Sequence, residues 1–487
     1  MHNTIVSRMR DAASRNPTAP AFIYQNQQIT YGQFDAYVCS AARIFHEQGI
    51  REGDIVTLTM MQSPVYCIAM FALASIGAVS VPLNPATSPE ARRSIRDRYG
   101  VKACVSDLDD PGLDGVPLIK LVNLKIDKLG ANLDFTSFRP APQTTFCIAM
   151  SSGTTGDSKG IAYTHQYLLD MVEQAQFELA PDTRLVPLAM HIAFGFVFAI
   201  GVLTIGGTLV FTVGQLQELG AFINLYAVTH MAMPPAIISK LLPYVPDGGN
   251  PFPSLRRLRV GGAGMSAKLV DSLCRKFPNN IEVVYGLTEL GAVSIARPDV
   301  LTSSPMSCGR VIPRFKLEII DENDHVVPAG TPGEIRIRLK GMPDGYYKDD
   351  QNSRSRFRNG WYCTGDAGRL SVEGLLSVEG RMDDIISIDG HKVSPAYVEE
   401  ILTRHPRIND AVVFGTKGKD GDEILAAAVI LAEGNADQEL VEYGRTHLGL
   451  ASPKKYFAMH DFPRNSSGKV LRQKIASVAQ ESNLATS

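Results

Sequence analysis

The stretch Thr144-Thr145-Phe146-Cys147-Ile148-Ala149-Met150-Ser151-Ser152-Gly153-Thr154-Thr155-Gly156-Asp157-Ser158-Lys159-Gly160 sets the frame for the rest of the chain. An apolar β-like run leads into a loop of Ser, Thr and Gly, and a helix-like run starts at His165. Glycines let the backbone approach an anion, amide N–H groups and hydroxyls donate to phosphate oxygens, and Lys159 adds a charge. The loop is not a Walker A sequence. Counting from Gly153, that pattern requires Gly at 158 and Ser or Thr at 160, where this chain has Ser158 and Gly160. On composition alone the same loop also reads as a surface turn.

Outward from this point, strand and helix signals alternate. GDIVTLTM (53–60), AVSVPL (78–83), VKACVSD, TLVFT, THMAMPP and LRRLRV read as strands, with helical patterns between several of them. Such alternation argues for layered α/β structure with parallel sheets. Two apolar stretches, Val65 to Leu83 and Gly195 to Thr212, approach bilayer-spanning length. Each turns β-rich at its end, so a buried helix followed by a buried strand is expected and no membrane span. From about Arg314 the texture changes. KLEIID, GEIRIRLKG and GLLSVEGR alternate apolar and polar residues between Gly, Pro, Asp and Asn, which suggests a smaller antiparallel region. The last hundred or so residues repeat the α/β style in miniature. A boundary is expected near Arg381 to Asp384, dividing the chain into domains 1–382 and 383–487.

Composition narrows the function classes. The chain has 487 residues, 45% of them apolar and 20% charged, with a formal net charge of −2. That excludes a disordered chain, a coiled coil or a collagen-like fibre. It also gives no global reason to bind nucleic acid or an anionic membrane. The seven cysteines are odd in number and widely spaced, with no CxxC. A disulfide framework or zinc site is not expected, and a reducing compartment, the cytoplasm, fits better. The first residues, MHNTIVSRMRDAASRN, contain no apolar core of signal-peptide length.

Four further motifs carry chemistry. Tyr285-Gly286-Leu287-Thr288-Glu289 follows the β-like run IEVV. A hydroxyl and a carboxylate at a strand's C-terminal end suit a crevice holding a nucleotide and Mg²⁺, although Thr-Glu there also reads as a helix start. Gly360-Trp361-Tyr362-Cys363-Thr364-Gly365-Asp366 offers a carboxylate that could accept two ribose hydroxyls, or an Asp in a turn. Gly380-Arg381-Met382-Asp383-Asp384 is a polar kink, and Pro463-Arg464-Asn465-Ser466-Ser467-Gly468-Lys469 a Gly/Ser loop ending in a lysine.

These five motifs, in this order and at these separations, resemble the adenylate-forming enzymes: acyl- and aryl-CoA ligases, nonribosomal adenylation domains and beetle luciferases. The resemblance runs from TYGQFDAYV near residue 30 to SSGKVLRQK near 470. It implies an α/β fold with a large N-terminal domain of stacked α/β subdomains plus a β-rich subdomain, and a small mobile C-terminal α+β lid. It implies that Ser151, Ser152, Gly153, Thr154, Thr155, Gly156 and Lys159 hold the ATP phosphates. Gly262, Ala263 and Gly264 would flank the adenine with Tyr285 and Gly286. Thr288 would touch the α-phosphate, Glu289 would bind Mg²⁺, and Asp366 would hold the ribose with help from Arg381. Asp383 matches the hinge position and Lys469 the lysine that enters for adenylation. One departure is Ser158, where the family usually has Pro. Pro187-Leu188-Ala189-Met190-His191 fits the substrate-side motif loosely, with His191 in the expected place among the catalytic residues.

The resemblance also frames the choice of acid and acceptor. Met190-His191-Ile192-Ala193-Phe194-Gly195-Phe196 lacks the Asp that marks α-amino acid enzymes and the Asn of the dihydroxybenzoate type. Phe194 and Gly195, with His191 and Gly262, suggest an apolar pocket for a flat or compact acid, unless the phenylalanines are core. No carrier domain follows residue 487, so a free acceptor is expected: CoA first, and a separate carrier protein or an amine as the alternative. Arg256, Arg257 and Arg259 could meet the CoA phosphates or form a solvated face. A non-catalytic nucleotide-binding relative is a remote alternative, which Lys159, Glu289, Asp366 and Lys469 together oppose.

Overall fold

The computed structural model describes residues 3–109, 112–121, 140–151, 159–187, 189–212, 216–246, 251–388, 391–418, 423–432, 437–464 and 470–484. Among these residues the chain forms a sheet-rich N-terminal domain and a small C-terminal domain. Two large sheets, of fourteen and six strands, build the first.

In the six-stranded sheet, Ile55–Thr59 pairs in parallel with Val79–Pro82 and Val101–Ser106. These strands are near-continuous apolar runs, as expected where both faces are covered. Helix Pro64–Ser75 has buried residues all round rather than along one stripe. It sits between sheets, and this explains an apolar stretch of near-membrane length in a globular core. No helix of the described residues is long and apolar enough to cross a membrane. A chain of rings crosses from one sheet to the other: Phe22 to Phe34 (4.8 Å between centroids), Phe34 to Phe71 (5.3 Å) and Phe71 to Phe146 (6.3 Å). Phe22 belongs to the larger sheet and Phe146 to the smaller. One hydrophobic core therefore fixes the two sheets relative to each other.

The strands after Arg314 are antiparallel, as their alternation suggests. They extend the parallel sheet rather than stand apart from it. The hairpin of Ile281–Leu287 with Gly291–Ala296 makes the change of direction. Its first strand is parallel to Arg257–Gly261, and its second continues through Gly309–Val311 and Leu375–Arg381 to Trp361–Leu370.

A buried ion pair braces this region. Arg259 is fully buried and Glu282 is 2% exposed. Nε and Nη2 of Arg259 lie 3.0 and 2.6 Å from Glu282 Oε2, and Nη1 donates to the Ala175 carbonyl at 2.9 Å. The guanidinium also lies 4.4 Å from the centre of the Phe177 ring. Arg259 therefore cannot meet a soluble phosphate. Arg256 pairs with Asp182 at 2.5 Å, and Arg257 pairs with Glu178 and lies 3.6 Å from Glu282. The expectation of a CoA contact is corrected for Arg259; Arg256 and Arg257 pair with carboxylates of their own chain, and Arg256 stays half exposed.

After Arg381 the chain leaves the large sheet through a 3₁₀ turn, Met382–Asp384. A short hairpin, Ile386–Ile388 with His391–Val393, precedes helix Pro395–Thr403 and a three-stranded sheet. Along strand Ile408–Lys417 side chains alternate between two cores. Val413 faces Val398, Leu402 and Leu440 from the helices on one side. Phe414 faces Phe462, Ile475 and Ala479, the last two from helix Arg472–Leu484 on the other.

The buried ion pair gives a direct stability test. Glu282→Ala leaves the Arg259 charge buried without its carboxylate and is expected to destabilise the fold by about 3–5 kcal/mol, read as the loss of unfolding free energy in a urea titration. A change under about 1 kcal/mol would contradict a bracing role.

Candidate active site

Three of the motifs, those at 285–289, 360–366 and 380–384, meet on the larger sheet where its strands change direction. Strand Arg257–Gly261 ends in Gly262, Ala263 and Gly264, which lead to helix Ala267–Lys276. A Cβ on Gly261 would lie 2.9 Å from the Val284 carbonyl oxygen, so only glycine lets the two strands pair here. Gly262 adopts a φ of +89° with open space around its missing side chain. The neighbouring strand carries Tyr285 and Gly286, and its hairpin loop carries Thr288 and Glu289. That loop is pinned by two phenols: the Tyr163 hydroxyl donates to the Thr288 carbonyl, and the Tyr167 hydroxyl to the Glu289 carbonyl at 2.8 Å. Thr288-Glu289 is thus a β-turn segment and not a helix start.

Asp366, on strand Trp361–Leu370, is 6% exposed. Its Oδ2 accepts from the Tyr285 hydroxyl at 2.6 Å, and its Oδ1 lies 3.0 Å from Nε of Arg381. Nη1 of Arg381 also donates to the Thr364 carbonyl at 3.2 Å. Burial, and then the Asp366 charge, push the Tyr285 phenol well above its usual pKa, so it remains a donor. Gly365 has a φ of +71°, and a Cβ there would collide with the Arg356 guanidinium. Arg356 in turn reaches Glu334 at 3.7 Å and Asp383 at 3.8 Å. Asp383, in the 3₁₀ turn, is otherwise exposed.

Lys159 stands at the start of strand Lys159–Thr164, which forms an antiparallel hairpin with Thr145–Ser151. It is a strand residue and not, as the motif suggested, a loop residue. The alternation in Lys-Gly-Ile-Ala-Tyr-Thr explains this, with Ile161 and Tyr163 buried. Its ammonium lies 5.2 Å from the Tyr346 ring centre. Burial first, and the nearby Arg356 charge second, lower its pKa from the ordinary lysine value. Ser151 is the last residue of its strand and half-buried. Ser152, Gly153, Thr154, Thr155, Gly156 and Lys469 lie outside the described residues.

Two residues missed at the sequence level complete the centre. The Tyr346 hydroxyl donates to Glu289 Oε1 at 2.9 Å and lies 3.2 Å from the Tyr362 hydroxyl. Glu289 is 6% exposed, so its carboxylate is held by phenols rather than by water. Tyr362 lies inside the quoted motif 360–366 and could have been noticed there. Tyr346, in Asp344-Gly345-Tyr346-Tyr347, carries no signal beyond an aromatic pair in a polar loop.

On the apolar side, His191 precedes helix Ala193–Ile205, whose first turn holds Phe194 and Gly195. The Phe194 ring edge would lie 3.7 Å from a Cβ at Gly261, which puts Phe194 beside the glycine loop. It packs edge-on to Phe198 at 5.9 Å and is half-buried, whereas Phe196 is fully buried core. Nε2 of His191 is buried with no hydrogen-bond partner in the protein. Burial pushes the ring's pKa down to about 4, which makes it a neutral imidazole at physiological pH.

A family model described as AMP-binding enzyme matches residues 9–347, and one described as AMP-binding enzyme C-terminal domain matches residues 397–469. The chain belongs to the AMP-binding enzyme family, within the adenylate-forming superfamily. It is 28% identical to the 4-coumarate–CoA ligase-like 9 of Oryza sativa subsp. japonica, over 92% of this chain and 87% of that protein. It is also 28% identical to the long-chain-fatty-acid–CoA ligase FadD13 of Mycobacterium tuberculosis, over 95% of this chain and 96% of that one. Its fold is similar to that of the amide bond synthetase McbA from Marinactinospora thermotolerans, with a TM-score of 0.87, 24% identity and coverage of 97% and 99% of the two chains.

The state of His191 is directly measurable. Its folded pKa lies below the unfolded value near 6.5, so the unfolded chain takes up a proton first. Its contribution to stability is therefore lost as pH falls from about 6.5 toward 4. An NMR titration of the assigned His191 ring protons is expected to show a midpoint near 4. A midpoint near 6.5 would contradict the desolvated neutral ring.

Proposed function

We propose that the protein is an ATP-dependent acid–thiol ligase. It activates a small or medium apolar or aromatic carboxylic acid as an acyl-adenylate and passes the acyl group to CoA. The observation that carries this reading is the convergence of Tyr285, Asp366 and Arg381 beside the Gly262–Gly264 loop, one hairpin turn from Glu289. Asp366 accepts the ribose hydroxyls, Gly262, Ala263, Gly264 and Gly286 leave flat space for the base, and Lys159 with the 151–156 loop faces the phosphates. Thr288 meets the α-phosphate.

In the first half-reaction the acid's carboxylate attacks the α-phosphorus and pyrophosphate leaves. Two anions must meet, so positive charge and fixed donors are needed where negative charge builds up. Lys159 and Lys469 supply charge, and alignment of the reactants removes much of the entropic barrier. Glu289 is the carboxylate for Mg²⁺. Among the described residues no cluster of three metal-ligating side chains occurs, and a single buried carboxylate fits an ion held largely by phosphate oxygens. Bound there, the ion would neutralise charge on the phosphates. The Tyr346 and Tyr362 phenols hold the Glu289 carboxylate in place. His191, neutral and with an unused ring nitrogen, offers one polar contact in an otherwise apolar pocket bounded by Phe194 and Gly195. The names of the relatives, a 4-coumarate–CoA ligase-like protein and a long-chain-fatty-acid–CoA ligase, support an apolar acid.

In the second half-reaction a thiol attacks the acyl carbon and AMP leaves. Residues 383–487 form a lid that turns about Asp383 relative to 1–382, withdrawing Lys469 and opening the thiol's path. A protein of similar fold bears the name amide bond synthetase, and this keeps an amine acceptor, or a separate carrier protein, as the second reading.

Lys469→Ala is expected to lower acid-dependent ATP–pyrophosphate exchange by about 10²-fold or more, as for loss of a preorganised charged donor. Exchange at the parent rate would refute the assignment. Asp383→Pro fixes φ at the turn and is expected to spare exchange while slowing thioester formation in a single-turnover assay with CoA. Equal loss of both half-reactions would remove Asp383 from the hinge.

A further inference from the structure

We propose that Lys268 is a latch that positions the C-terminal domain against the N-terminal one. Lys268 is the second residue of helix Ala267–Lys276, directly after the Gly262–Gly264 loop. Its ammonium donates to the carbonyl oxygens of His405 at 2.7 Å, Ile408 at 2.8 Å and Pro406 at 3.2 Å. A lysine ammonium has three N–H donors and no acceptor. All three are used, and every acceptor belongs to the other domain.

The acceptors form a preorganised cage. They lie in the turn that follows helix Pro395–Thr403, closed by bonds from His405 N–H to the Leu402 carbonyl and from Ile408 N–H to the His405 carbonyl. These bonds aim the three oxygens outward together at the negative end of the helix, where a cation is favoured. His405 itself is 5% exposed and stands edge-on to Tyr443 at 4.8 Å between ring centres, so the turn is anchored in its own domain. Burial by the contact also draws the lysine's pKa below its ordinary value, a sign of partial water exclusion.

The position of the contact gives it leverage. A second bond between the domains, from Ser394 Oγ to the Glu379 carbonyl at 2.6 Å, lies beside the connection, close to any axis of rotation there. Lys268 grips the far end of the Pro395–Thr403 helix and opposes rotation. Its acceptors are backbone oxygens, which water can replace once the contact opens, so the grip is reversible. It also joins the active-site glycine loop, through three residues of chain, to the orientation of the other domain. The consequence for the two half-reactions rests on the function proposed above; the latch itself does not.

The test uses the full chain. Spin labels are placed on non-canonical residues at Leu225 and Leu450, 72% and 81% exposed, one in each domain. Distance distributions are measured for the parent, Lys268→Met and Lys268→Arg. Lys268→Met keeps the helix and removes the donors. It is expected to lower the population at the parent distance by about threefold or more, with Lys268→Arg, which retains donors, falling between the two. A Lys268→Met distribution identical to the parent's would overturn the latch. The ratio of pyrophosphate exchange to thioester formation is expected to change by about threefold or more in the same variant. An equal fall in both rates with unchanged distances would reduce Lys268 to a structural residue and overturn the proposal. If the distances shift while the parent exchanges pyrophosphate with no acid, the latch stands and the ligase reading falls.

Discussion

The Asp366 carboxylate, held between the Tyr285 hydroxyl and the Arg381 guanidinium, is the contact on which the site depends. It joins residues about eighty and fifteen positions apart in the chain and ties together three strands of the large sheet. A nearly buried carboxylate is costly without partners. Here a phenol and a guanidinium stabilise it, and both are fixed by strand register: Asp366 pairs with Arg381 across the antiparallel ladder. Tyr285, in turn, lies four residues before Glu289 in the chain. The parallel-to-antiparallel switch at Ile281–Leu287 is therefore what brings the separate motifs to one crevice.

The electrostatics of that crevice follow from burial. Glu289 is held by phenols, Lys159 lies over an aromatic ring, and His191 is neutral. Few of these groups are solvated, so in the proposed reaction a triphosphate would meet fixed dipoles and charges with little reorganisation. The Arg259–Glu282 pair plays a different part. It lies one layer below, closed off from solvent, and stiffens the two strands whose ends carry Gly262 and Tyr285. Arg259, within a positive run of the sequence, is thus a brace rather than a binding residue.

The parts of this arrangement differed in how legible they were. Runs such as Ile55–Thr59 and Thr145–Ser151 are recognisable because both faces of a parallel sheet are covered and the apolar signal is unbroken. Strands after Arg314 are recognisable by alternation. That they continue the parallel sheet is not, because strand partnership between distant segments leaves no local pattern. Arg259 reads as a surface charge, since its carboxylate lies 23 residues on and nothing local marks the pair. Tyr346 is invisible for the same reason: its value is its distance to Glu289, 57 residues away. Tyr285, Asp366 and Arg381 were legible through the resemblance of their motifs, and the structure brings them within hydrogen-bonding or ion-pairing reach of one another. The roles implied for Ser152 to Gly156 and for Lys469 fall outside the described residues and stand on the resemblance.

The central claim is that these strands surround one nucleotide, with its ribose at Asp366. An experimental structure of the full chain with AMP or a non-hydrolysable ATP analogue tests it most directly. The account requires both ribose hydroxyls within about 3.2 Å of the Asp366 oxygens and the base against Gly262–Gly264. A nucleotide seated elsewhere, with Asp366 still closed between Tyr285 and Arg381 and touching no hydroxyl, would contradict it.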